Sequence, residues 1–281
     1  MKIKKYRLTD ETTTIVRNGA EITLYQIQAL RDFGNIKAGD LGGYIESELN
    51  LAHKGSCWVF DNARVFGCAR VFGDARVYDN AEVFGYAEVY DNAVVADNAK
   101  VYNNAKVYDT AWILHHACVC DNAKVYGNAR VLQYALVAGY AYVYRNAMVC
   151  DNARVYEFAN VYDDAEVEGN AQVYGGAEVY GKAEVCGKAE VCGGTKVFGN
   201  AVVFGGAMIW GNAEVCGCAK VSGNAWILDH AKVYNKARIS GSAVVSNTAR
   251  VYENAKVTGR AVVDGNSKVC GDTVLGSIPS A

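Results

Sequence analysis

Asp61-Asn62-Ala63-Arg64-Val65-Phe66 is followed by Gly67-Cys68-Ala69-Arg70-Val71-Phe72 and then by Gly73-Asp74-Ala75-Arg76-Val77-Tyr78. The same six-residue frame runs from Gly55 to Cys270 without insertion or deletion, through roughly 36 hexads, far more than a repeat array needs to be stable. The fifth position is Val or Ile throughout, and the third is Ala except at Cys57, Thr195 and Ser267. Positions three to six alternate small, variable, β-branched, variable. That is the period of an extended strand with Ala and Val on one face. Positions one and two are mostly Gly-Asn, Asp-Asn or Gly-Gly, the chemistry of a bend that requires a positive φ.

A strand of about four residues cannot bury its own Val, so coils must stack, each Val on the Val above and below. Three strands and three bends close one coil of about 18 residues, and parallel pairing at about 4.8 Å per coil makes about 12 coils a prism near 58 Å long. The expected fold is therefore all-β, a parallel β-helix of triangular coils over residues 55–276. Before it, Thr12 to Val16, the Asn18-Gly19 hairpin signal and the alternating Glu21–Leu30 stretch predict a small β cap within residues 1–54. The pattern decays after Cys270, and Pro279 discourages strand addition in a tail of residues 277–281.

Val119-Cys120-Asp121-Asn122-Ala123-Lys124, with Cys where Tyr is usual, resembles the hexapeptide repeat of left-handed parallel β-helices. The resemblance covers about three quarters of the chain. It implies the left-handed sense, which general chirality rules do not supply. The residue after the core aliphatic departs from that pattern, being Tyr, Phe or Cys where Gly is common. The opening, with Gly42-Gly43-Tyr44 and Cys57-Trp58-Val59, is similar to uncharacterised hexapeptide-repeat proteins of enteric and gut bacteria and their prophages.

Bulk properties exclude several classes. The 281 residues carry a formal net charge of −2, neither a polycation for nucleic acid nor a mimic of it. The polar residues after Met1-Lys2-Ile3 read as no secretory signal, and no apolar stretch reaches bilayer length. The 10 cysteines follow repeat positions, which reads as reduced thiols in a cytoplasmic protein rather than a disulfide framework.

Taking every third hexad sorts outward residues onto three faces. One carries an aromatic ladder from Phe72, Tyr90 and Tyr108 to Tyr180 and Phe198, flanked by charges of both signs. Such a ladder either stiffens the repeat or offers a stacking platform for flat ligands, and the mixed charge speaks against nucleic acid. The other faces hold two apolar zones: Trp112, Leu114, Cys118, Cys120, Leu132, Leu136, Ala138, Met148 and Cys150, then Val202, Phe204, Met208, Trp210, Trp226 and Leu228. Large exposed apolar patches are rare on monomers, and Trp and Met are enriched in interfaces. These residues are the expected lateral contact between copies in a homo-oligomer.

Hexapeptide-repeat acyltransferases, to which the repeat is similar, use a His general base in a groove between subunits. Of His53, His115, His116 and His230, His116 is the candidate, because Trp112 and Leu114 adjoin it. Against that role, no loop interrupts the hexads to build a substrate pocket. The segment His115-His116-Ala117-Cys118-Val119-Cys120 has metal-type residues, but alternate strand positions lie about 6.6 Å apart, too wide for one tetrahedral ion. No metal or cofactor is expected, and no phosphate-binding loop or dinucleotide fingerprint occurs. The reading is a non-enzymatic, self-associating scaffold or binding module. The alternatives are an acyltransferase with a groove between subunits and a sponge that sequesters a nucleotide or similar small ligand between paired copies.

Overall fold

The computed structural model describes residues 4–276, so Pro279 and the tail lie outside the described residues. The chain is all-β, with no helix among those residues, and forms a parallel β-solenoid of about 13 turns. None of its elements is a helix long and apolar enough to cross a membrane. Contacts divide it into two compact units, Met1–Tyr134 and Ala135–Ala281.

In the first unit, β1 (Tyr6–Arg17) and β2 (Ala20–Ala29) form an antiparallel hairpin. Asn18 and Gly19 both have positive φ at its turn, as a type I′ turn requires. Next, β3 (Leu41–Ile45) pairs antiparallel with β2 and parallel with β5 (Arg64–Val65). Parallel coiling thus begins before the hexad frame, which accounts for one more turn than the repeat predicts. The early coil is offset by 20 residues, Tyr44↔Arg64, where later coils repeat at 18, Arg64↔Glu82. Asn50 absorbs the difference: its buried side-chain amide donates to the carbonyls of Gly67 and Ala69. Gly42 and Gly43 lie where the chain crosses close to the first coil; a Cβ on them would sit 2.6 Å from the carbonyl oxygens of Val59 and Ala63, respectively.

From β4 (Trp58–Val59) onward each hexad contributes one short strand at positions four and five. Residues 4–134 carry three sheets: one continues from the hairpin and β3 through Arg64, and the parallel strands of the other two begin at Trp58 and Arg70. Residues 135–276 likewise carry three, called here the Met208, Val202 and Glu178 sheets. Ala at position three and Val or Ile at position five are almost all fully buried, so each sheet backs onto a dry column.

The bends follow one design. The position-one residue takes a φ near 60° whether it is Gly, Asp or Asn. At many bends position three donates back across the bend, as Ala81 N does to Tyr78 O at 3.1 Å. The amides of positions two, four and six donate to the next coil, as Asn80 N, Glu82 N and Phe84 N do to Asp97 O, Ala99 O and Val101 O. Position-one carboxylates add a rung: Asp97 accepts from His115 N at 2.8 Å, Asp109 from Gly127 N at 3.0 Å and Asp229 from Asn247 N at 3.0 Å. Asp at that position therefore satisfies a backbone donor one coil on, in addition to tolerating the left-handed conformation.

Candidate functional site

The outward side chains decide what each unit can touch. The hairpin covers part of one face of the first unit. Ile15 and Ile22 pack on the cluster of Leu24, Phe66 and Phe84, and the Arg17 guanidinium lies 3.6 Å from the centroid of the Phe84 ring. Lys5 is fully buried, and its ammonium donates to Cys57 O at 2.8 Å with the Cys57 sulfur 3.2 Å away. Burial pulls Lys5 below the usual lysine range and pushes the Cys57 thiol up.

Trp112 remains 46% exposed, in register between Val94 and Arg130, whose guanidinium stands over the indole. Leu114, Cys118 and Leu132 are half-buried. Cys120, expected to point into solvent, is buried next to the Tyr102 phenol, and burial raises its thiol pKa. In the second unit Leu136 and Met148 are half-buried, and Cys150 is buried.

The second apolar zone lies wholly within residues 135–276. Met208, Trp226 and Val244 stack in register on one sheet. Trp210 and Leu228 occupy the neighbouring outward column, and Phe204 lies across the Gly205-Gly206 bend from Met208. Trp210 is 55% exposed and Trp226 46%.

The aromatic ladders use up their own ring faces. Phe72–Tyr90, Tyr90–Tyr108 and Tyr108–Tyr126 stack at 4.7–4.9 Å with planes within 3°. Tyr144, Tyr162, Tyr180 and Phe198 stack at 4.9 Å in the second unit. Rings held at the coil spacing leave no gap for a base or other flat ligand, so edges alone face outward.

Three histidines lie on the repeat. The His116 ring stacks on Tyr134 at 4.8 Å, and its backbone amide donates to Gln133 O. It borders a shallow polar cavity of about 440 Å³ with Arg64, Glu82 and Lys100, three charges already tied together by ion pairs. His115 Nδ1 accepts from Gln133 N. His230 is exposed at a bend.

His53, at the transition from the cap, borders a cavity of about 640 Å³ with Glu48, Cys68, Arg70 and Phe72. Its Nδ1 accepts from Lys5 N at 3.2 Å, which leaves Nε2 to donate to Glu48, 3.5 Å away. Both ring nitrogens are engaged, so no lone pair is free to take a substrate proton.

Among the described residues the cluster of metal-type ligands is Cys150, Asp151 and Glu168, not the His115–Cys120 segment. Asp151 in that cluster accepts from Gly169 N, the same rung that other position-one acids make. Burial and the neighbouring carboxylates push the Cys150 thiol up to about 11, which keeps it protonated.

No family model matches the chain. It is similar to a protein of Escherichia coli (strain K12) named "Uncharacterized acetyltransferase YdcK", 39% identical over 80 residues. That match takes in 27% of this chain and 24% of the relative, so the chain spans about a quarter of the curated relative's length. A partial likeness of this kind is consistent with the hexapeptide-repeat resemblance, and the chain is a parallel β-solenoid with an 18-residue repeat.

Proposed function

We propose that the chain is a non-enzymatic scaffold or binding module that associates laterally with copies of itself. The observation that supports this most is the in-register Met208–Trp226–Val244 column beside Trp210 and Leu228, with both tryptophans about half exposed. Covering the exposed parts of two tryptophans removes on the order of 200 Å² from water, roughly 5 kcal/mol before the costs of association. The histidine geometry points the same way, since no described imidazole combines a free lone pair with an orienting carboxylate. All ten cysteines are free, which supports work in a reducing cytoplasm.

Light scattering on the full chain tests this reading. A mass above that of one chain at micromolar concentration is expected, and Trp210→Glu with Trp226→Glu should lower it while the far-ultraviolet circular dichroism stays unchanged. A wild-type chain that stays monomeric removes the reading.

A second reading, acyl transfer, is favoured by the name of the Escherichia coli relative. It requires coenzyme A binding and loss of turnover in His116→Ala. Titration calorimetry with coenzyme A that shows no heat eliminates it.

A further inference from the structure

Two sheets of residues 135–276 distribute charge differently. The Glu178 sheet ends in a like-charged run of Lys232, Arg250 and Lys268, but before it acids and bases alternate coil by coil: Glu178 with Lys196, then Glu214 with Lys232. These neighbours form ion pairs at 3.5 and 2.9 Å. On the Val202 sheet, like charges are stacked in blocks. Glu166 is in direct register with Glu184; after the uncharged Val202 come Lys220, Arg238 and Lys256, each in register with the next. The ion pairs described within this unit join Arg145 to Asp163, Lys196 to Glu178 and Lys232 to Glu214, so none of these five charges is neutralised that way. Like charges directly opposite on neighbouring strands cost stability. An acidic block and a basic block on one sheet, each without an ion-pair partner, leave that face in need of opposite charges from outside.

The segregation has a centre. Counting coils from Val202, Glu184 lies one below and Lys220 one above; Glu166 lies two below and Arg238 two above. A two-fold axis lying in the plane of contact, parallel to the Val202–Val203 strand and in front of it, sets each acid level opposite a basic level of a second copy. Val202 and Phe204 fall at the middle, and Phe204 is 38% exposed. The outward column beside the basic block is Ser222, Ser240 and Thr258, small enough for close approach, whereas Glu168 extends the acidic block. Alternate positions along a strand are about 6.6 Å apart, an offset that Glu, Lys and Arg side chains span. A surface whose charge order inverts about its own midpoint is complementary to itself, which is the condition for an isologous two-fold contact.

We infer that the Val202 sheet is the contact face of an antiparallel homodimer, with Glu184 facing Lys220 and Glu166 facing Arg238 of a second copy. This rests on the self-association proposed above and adds to the tryptophan-bearing face a second contact face with a stated geometry. The tryptophans of the Met208 sheet lie on a different sheet and stay available for further contacts.

Charge-reversed variants of the full chain test it. Sedimentation equilibrium at low salt is expected to give a dimer for the wild type, weakened by added salt. Glu184→Lys alone and Lys220→Glu alone each set like charges face to face at both symmetry-related pairs. Each should raise the dissociation constant at least about tenfold. Mixing the two variants one to one should restore the dimer mass, because each then supplies what the other lacks, and the double variant should associate like the wild type. Unchanged circular dichroism excludes misfolding.

Single variants that dimerise like the wild type place the contact elsewhere and overturn this inference while self-association stands. Single variants that dissociate without rescue on mixing overturn the facing geometry. A monomeric wild type overturns both readings.

Discussion

Trp226 and Ile227 are consecutive residues of one short strand, and their truncations should have opposite consequences. Ile227 is fully buried between Ile209 and Val245 in register. Ile227→Ala removes three carbons, about 2.4 kcal/mol of transfer free energy at about 0.8 kcal/mol each. The coils cannot close over the void, because Trp226 N and Leu228 N are held to Ala243 O and Val245 O at 2.9 and 2.8 Å. A residual cavity raises the expected loss to about 3–4 kcal/mol. Trp226→Ala removes a half-exposed side chain and should cost stability less than about 1 kcal/mol while weakening association. Urea denaturation followed by circular dichroism gives the global loss. Hydrogen exchange at the strands of Ile209, Ile227 and Val245 gives the local one, since solenoid stability is carried by neighbouring repeats. Equal losses for the two variants, or a loss under about 1 kcal/mol for Ile227→Ala, would refute the assignment of a dry interior column.

Three further outcomes follow from single groups. Thr195 stands in the alanine column with a buried hydroxyl that has no partner, at a cost of about 1–3 kcal/mol. Thr195→Ala should stabilise the chain by about 1 kcal/mol net of the lost methyl and so raise the urea midpoint, and a lower midpoint would contradict this account. Thiol titration with an aromatic disulfide should modify exposed Cys68 and Cys218 in the folded chain. It should reach Cys57 and Cys150 only in denaturant, and fast labelling of Cys150 would contradict its burial. Burial raises Tyr6 and Cys57 above their ordinary values of 10.0 and 9.0, so both keep protons in the folded chain that the unfolded chain releases. Their contribution is complete below about pH 9 and is lost as pH rises beyond it. Buried Lys5, shifted down, acts in the opposite sense and gains stability as pH approaches its ordinary range. The urea midpoint should therefore fall above about pH 9 and fall less steeply in Tyr6→Phe; an equal slope in that variant would refute the linkage.

The coil was legible because its determinants repeat. Ala63, Val65 and their successors occupy equivalent places, so periodicity alone puts them in the interior. What depends on a neighbour 18 residues away was not. The rung from Asp97 to His115 N, and the screening of Cys120 beside Tyr102, are relations between coils that a single hexad does not display. The early coil was hidden because Asn50 and the 20-residue offset break the frame at the point where coiling begins. His53 was passed over because its partners, Lys5 and Glu48, come together through the hairpin rather than the repeat. The charge blocks of the Val202 sheet were present in the sequence, but they surface when residues 18 apart are compared along one face rather than summed into a net charge.

The bend recurs every six residues, whereas a given face recurs every eighteen. The outward chemistry of residues 135–276 therefore has a phase that the interior lacks. Deleting one hexad upstream of Lys220 would leave every later Val and bend in an acceptable place, yet would hand each later outward residue to the adjoining wall and scatter the Glu184–Lys220 order. Deleting three would restore the walls and shorten the stack by one storey. Length changes in this sequence are thus silent to folding in steps of six and silent to recognition only in steps of eighteen.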